Sequence, residues 1–199
     1  MENQDKKREL IIETAVKRFA HFGLAKTTMT EIAADLSLSK ALLYYYFPDK
    51  ISLYAAVLEN IIKEMEADLN KGVQKIIDSQ KALFFYLSKR HEYILKYHNI
   101  LEYIRSSGPD LPDGIIAILQ EARNSEHKLI SSIIQTGIET KEFKVTDASQ
   151  VAAILIDALT GMRFIALHNK QTFLLQKQQF EELLQRQKQL GEIFLNGLK

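Results

Sequence analysis

The chain has 199 residues, 46% of them hydrophobic and 26% charged, a globular composition with enough apolar side chain for a sizeable core. It has no cysteine, which excludes disulfides and thiol catalysis. The net charge is +1, and residues 1–50 carry eight Lys/Arg against seven Asp/Glu, again +1, so any nucleic-acid surface must be a local patch.

Three prolines and eight glycines leave few breaks, and no alternating valine-rich runs occur, so an all-α chain is expected. The first thirty residues are charged and lack an apolar h-region, and no run of about 18 apolar residues follows. These features predict a cytoplasmic protein with no signal peptide and no membrane span.

The first helix is expected from about Lys6 to Phe22, with Ile12, Ala15, Val16 and Phe19 in one apolar stripe and Gly23 as its stop. Thr28 and Glu31 have the spacing of a capping box for a short helix with Ile32, Ala33 and Leu36 on its apolar side. Ser37 and Leu38 make a turn. Ser39 then caps a second short helix, Lys40 to Tyr46, which ends where Phe47 precedes Pro48. At about 100° per residue, Lys40, Ala41, Tyr44 and Tyr45 share one side of that helix, with Leu43 and Phe47 opposite. A cation, a small residue and two phenols suit a helix lying in a DNA major groove.

A long helix from Lys50 to about Lys71 follows. Lys50 in its first turn opposes the helix macrodipole, a placement that makes sense beside a phosphate. Lys81 to Lys96 is apolar nearly all round and therefore buried, and a short helix covers Ile100 to Ser106. Ser106 to Gly114 is a loop. Asp113 caps a helix reaching about Ile138, Lys141 to Val145 is a linker, and Thr146 or Asp147 caps a helix to about Asn169. The last helix takes roughly Phe173 to Leu198.

The capped pair of short helices carries a resemblance. T-x-x-E-I-A from Thr28, S-K-A-L-L-Y-Y-Y-F from Ser39 and D-K-x-x-L from Asp49 resemble the DNA-binding domain of the TetR/AcrR family of bacterial transcriptional regulators. The resemblance runs from Glu9 to about Leu58. Ser37 and Ala41 stand where glycine is common, and Tyr46 where histidine is frequent. It implies an all-α, TetR-like chain: a three-helix helix-turn-helix domain over residues 1–50 and a helical ligand-binding and dimerisation domain over 51–199. Lys40, Ala41, Tyr44, Tyr45 and Lys50 are then expected at double-stranded operator DNA, with Thr28 and Ser39 fixing register on phosphates.

The resemblance further implies a small-molecule effector and a homodimer formed through the last two helices. The effector residues expected from aromatic and polar composition are Tyr86, Tyr93, Tyr97, His127 and Phe164. The seam expected at the dimer two-fold is Leu155, Leu159, Phe180, Leu183, Leu184, Leu190 and Phe194. No cofactor or metal is expected: His91 and His98 are seven apart, and the run HEYILKYH lacks the second histidine of H-E-x-x-H. The expected function is a ligand-responsive repressor. The competing class is an all-α small-molecule carrier or enzyme with a vestigial DNA-binding hairpin, which would need a catalytic constellation that the sequence does not present.

Overall fold

The computed structural model of the chain describes residues 2–168 and 177–199. Among the described residues the elements are helical: α1 Glu2–Lys26, α2 Met29–Asp35, α3 Lys40–Tyr46, α4 Lys50–Val73, α5 Ser79–Lys96, α6 His98–Ser107, α7 Asp113–Glu139, α8 Ala148–His168 and α9 Lys177–Asn196. A 3₁₀ turn, Gly108–Asp110, lies between α6 and α7.

The boundaries follow local chemistry. Gly23, at φ 77° and ψ 166°, breaks α1 where the sequence places the stop, and one further turn follows to Lys26. Asp78 accepts the Lys81 amide at 2.7 Å and so starts α5 at Ser79, two residues earlier than periodicity suggests. Asp113 is the first residue of α7 and not its cap, because Pro112 O accepts the amides of Ile115 and Ile116. Asp147 caps α8 through the Gln150 amide at 2.9 Å. The expected linker Lys141–Val145 is not merely solvated: Phe143 is buried against Gly137, where an added Cβ would lie 2.2 Å from the ring. The expected start of the last helix at Phe173 lies outside the described residues.

The chain forms two compact units, residues 1–64 with 96–120, and residues 65–95 with 121–199. This division differs from a boundary at residue 50. The first half of α4 buries Leu53, Tyr54, Val57 and Leu58 in the first unit, and the Tyr54 hydroxyl donates to Ile100 O on α6 at 2.7 Å. Asn99 on α6 also donates to Ala20 O on α1 at 2.8 Å. So α6, distant in sequence, belongs with the N-terminal helices. Phe19, Ile11, Ile32 and Leu43 fill that core.

The second unit has its own core. Leu83 and Tyr86 of α5, Ile130, Ile133 and Ile134 of α7, and Leu155 and Leu159 of α8 are buried together. α8 includes the stretch Ala148–Ala166, with mean hydropathy 1.3, which reaches the membrane range by length and composition. It carries Asp157, ion-paired to Arg123 at 2.9 Å, and Arg163, near Glu126 at 3.9 Å, and its Leu155, Ile156 and Leu159 are core.

Candidate functional site

α3 is held by its two ends. Ser39 Oγ accepts the Leu42 amide at 3.2 Å, and the Phe47 amide bonds Leu43 O at 3.0 Å with Phe47 itself extended. Leu43 and Phe47 are buried, so the opposite side must face out. That side presents Lys40, Ala41, Tyr44 and Tyr45, with Tyr45 69% exposed. The Lys40 ammonium lies 5.7 Å from the Tyr44 ring centroid, and Gln4 Nε2 donates to the Tyr45 hydroxyl at 2.9 Å. No local pattern signals this tie between the start of α1 and α3, whose partners lie 41 residues apart.

α2 is fixed just as firmly. Thr28 and Glu31 make the full capping box: Thr28 Oγ1 accepts the Glu31 amide, and Glu31 Oε2 accepts the Thr28 amide at 2.8 Å. Oε2 also accepts the Thr28 hydroxyl at 2.8 Å. The threonine's single O–H donor is therefore used inside the chain, so the expected Thr28 contact to phosphate is not prepared here. Among the described residues the Ser39 hydroxyl hydrogen meets no acceptor, while its oxygen accepts the Leu42 amide. Arg18 clamps α1 to α2 by a fork onto Asp35, 2.5 and 2.9 Å, with Glu31 at 3.5 Å. Hydrogen bonding from Arg18 holds the Asp35 carboxyl below its usual range.

Lys50 departs from expectation. Its Nζ donates to Leu24 O at 2.8 Å and Thr27 O at 3.0 Å. The ammonium thus ties the last turn of α1, after Gly23, to the start of α4. Two carbonyls already account for a cation at the unfavourable end of that helix.

In the second unit, the expected effector residues do not converge. Tyr86 is buried and its hydroxyl bonds Glu126 Oε1, while the Tyr93 hydroxyl donates to Asp68 at 2.9 Å. Tyr97 belongs to the first unit. The His127 ring nitrogen Nε2 pairs with Ser149 O at 3.0 Å, and Phe164 is exposed. What does gather is a charged cluster. Arg90 lies 3.3 Å and Arg163 3.9 Å from the same Glu126 Oε1. Burial alone raises the Glu126 carboxyl, but Arg90 and then Arg163 hold it below its ordinary value. Burial and then repulsion from Arg90 bring Arg163 down to about 10. Beside the cluster, between α5, α8 and α9, is a chamber of about 30 Å³ faced by Arg90, His91, Arg163 and Gln187. A larger cavity of about 550 Å³ lies between the end of α4, the start of α5 and α7, lined in equal part by hydroxyl and amide side chains such as Ser79, Ser132, Thr136 and Gln74 and by apolar ones such as Val73 and Leu129.

Residues 11–57 match the model of the bacterial regulatory proteins, tetR family. The chain is 33% identical to a transcriptional regulator of Cytophaga hutchinsonii ATCC 33406 of known structure, over 96% of this chain and 98% of that one, with a TM-score of 0.88. The chain belongs to the TetR family. It is a DNA-binding transcriptional regulator. The helix-turn-helix-type regulator YuxN of Bacillus subtilis (strain 168) is 31% identical over 134 residues, 67% of this chain and 44% of YuxN, so the match spans less than half of that relative. A transcriptional regulator from Saccharomonospora viridis, solved in complex with choline, shares the fold at 21% identity and a TM-score of 0.74, over 94% of this chain and 96% of that one.

Within this TetR-family fold two features stand apart from the sequence reading. Ser37, at the turn, adopts φ 53°, the left-handed region that glycine fills without strain. And the expected dimer seam is largely internal: Leu155, Leu159, Phe180 and Leu183 are buried in their own chain, and Leu184, Leu190 and Phe194 pack against that core. Among the described residues, the large apolar side chains that α8 and α9 leave exposed are Ile154, Phe164, Ile165 and Ile193. The amphipathic period shows that a helix has an apolar face; it does not show which of two apolar arcs meets the chain's own core.

Proposed function

We propose that this regulator is a homodimeric repressor that reads double-stranded operator DNA through α3 and is released by a small molecule bound in its second unit. The observation that carries the DNA assignment is the exposed Lys40–Ala41–Tyr44–Tyr45 side of α3 on a buried Leu43–Phe47 base, with both ends of the helix fixed. Such a surface meets base edges and phosphates without reordering its own backbone. Ala41 stands where glycine is common in the family and is exposed on the outward side of α3.

Dimerisation through the outer arc of α8 and α9 is supported by Ile154, Phe164, Ile165 and Ile193, each more than half exposed in the single chain. Only 28% of the apolar stretch Ala148–Ala166 is buried within one chain, which suits a helix covered by a second copy. Two-fold pairing of regulators matches two half-sites on DNA. The switch runs through α4, one unbroken helix from Lys50 to Val73 whose residues belong to both units. A ligand that moves Met65 and Leu69 moves the same helix that Lys50 ties to α1. A hundredfold loss of operator affinity takes about 2.7 kcal/mol of coupling, within the usual allosteric range. The regulator acts in the cytoplasm and catalyses no reaction.

The test is fluorescence anisotropy on DNA flanking the regulator's own gene, with wild type and the Lys40→Ala/Tyr45→Ala double variant. Sequence-selective binding that the double variant loses supports the reading. Equal binding of both proteins would place the DNA surface elsewhere. Adding molecules that co-purify with the protein should weaken operator binding, and operator should weaken their binding by the same factor.

A further inference from the structure

We propose that the chamber between α5, α8 and α9 binds a small aliphatic carboxylate, held by Arg90 and Arg163 with His91 and Gln187. The regulatory consequence of that binding rests on the effector-responsive reading above; the binding itself does not. The charges are unequal there. Glu126 presents one oxygen, Oε1, to Arg90 at 3.3 Å, to Arg163 at 3.9 Å and to the Tyr86 hydroxyl. Arg123, the next cation, is taken by Asp157 at 2.9 Å. Two largely buried guanidiniums therefore share one carboxylate, and Arg163 also donates to a neutral hydroxyl, Thr160 Oγ1, at 2.8 Å. Leaving a buried charge under-compensated costs several kcal/mol.

The chamber has a second, independent mark of a missing ligand. His91 is 8% exposed, lines the cavity, and its Nε2 is buried with no hydrogen-bond partner. Burial lowers its basicity; Glu181 and Glu92 work against that and Lys188 with it. A neutral imidazole protonated at Nε2 donates one N–H. Gln187, 5% exposed, uses Nε2 on Leu159 O at a long 3.3 Å. A carboxylate accepts a guanidinium fork and an imidazole N–H together. An amide lacks the charge, and a cation adds to the excess.

Size and lining set the rest of the ligand. One water needs about 10–15 Å³ of such space, and the chamber offers about 30 Å³. That admits a compact headgroup with a short tail and not a drug-sized molecule. The tail would meet Phe180 and Leu183, which wall the cavity.

The probes are propionate and its neutral isostere propionamide, with choline as a cation, applied to the full-length protein at constant ionic strength. Calorimetric titration and thermal melting should show propionate binding and raising Tm, with propionamide and choline at least tenfold weaker. Arg163→Gln should weaken propionate at least tenfold. If that variant fails to melt cooperatively, Gln187→Leu, which leaves the ion pairs intact, should still weaken it severalfold. Propionamide binding as tightly as propionate, propionate binding unchanged in the cooperatively folded variants, or no propionate binding overturns the proposal. Operator affinity is measured alongside. Arg163-dependent propionate binding that leaves operator affinity unchanged supports the chamber and removes its regulatory role. Operator release by choline with no propionate binding does the reverse.

Discussion

Replacing Lys50 by methionine keeps the stem and removes the ammonium, which separates a structural tie from a DNA contact. In the folded chain Nζ makes two charge-assisted hydrogen bonds, to Leu24 O and Thr27 O. Hydrogen bonds to charged groups contribute about 1.5–3 kcal/mol each net of water. Lys50 is only half-buried, so water regains part of both carbonyls, and a total loss of about 1.5–3 kcal/mol is the expected value. Urea unfolding measures it directly as a lower midpoint at unchanged slope. Operator binding should weaken through disorder of the α1 end, with the dependence on log salt nearly unchanged. A phosphate contact behaves otherwise: it leaves stability alone and lowers the salt slope by about 0.9. That second pattern would refute the assignment of Lys50 to the α1–α4 junction.

Ser37→Gly should stabilise the turn by about 1 kcal/mol, since a side chain at φ 53° is strained, and operator affinity should hold; a less stable variant in urea unfolding contradicts the strain. Thr28→Ala should cost about 1 kcal/mol of stability with an unchanged salt slope, whereas Ser39→Ala should cost a similar amount and also lower the slope. Ile154→Glu with Ile193→Glu should give folded monomers by light scattering, while Leu183→Glu should unfold the chain; a dimeric Ile154/Ile193 variant rules out that face. The depressed Glu126 carboxyl contributes stability that is present above the unfolded value of about 4.3 and is lost as pH falls through its lower folded value. Glu126→Gln should therefore flatten the acid limb of stability below about pH 5, and an unchanged limb by urea unfolding contradicts the ion cluster.

The N-terminal elements were legible because their signals are local. Thr28 and Glu31, Ser39, Gly23 and Pro48 each act within four residues, and the structure uses each where the pattern places it. Long-range partners left no such trace. Lys50 looked like a phosphate ligand because its own helix disfavours it, and the carbonyls that explain it lie 23 and 26 residues back. α6 joins the first unit through Asn99 and Ile100, a contact that no period in the sequence encodes. In the second unit, aromatic composition pointed to Tyr86, Tyr93 and Tyr97, yet their hydroxyls or rings serve separate places. The charges that do gather, Arg90, Glu126 and Arg163, left little trace: Arg90 and Glu126 lie in the polar runs 88–92 and 121–128, and only packing shows that they are largely buried and require one another. Leu183 and Ile193 are equally apolar on one helix, and only packing distinguishes the buried from the exposed.

The central claim, that α3 reads operator DNA as one half of a two-fold pair, is tested most directly by selecting bound sequences from a random duplex library with the full-length protein. The expected result is an enriched palindrome whose half-sites lie about one helical turn apart or a multiple of it, lost when Lys40 and Tyr45 are both alanine. Enrichment of no sequence, or of the same sequence by the alanine variant, would contradict it.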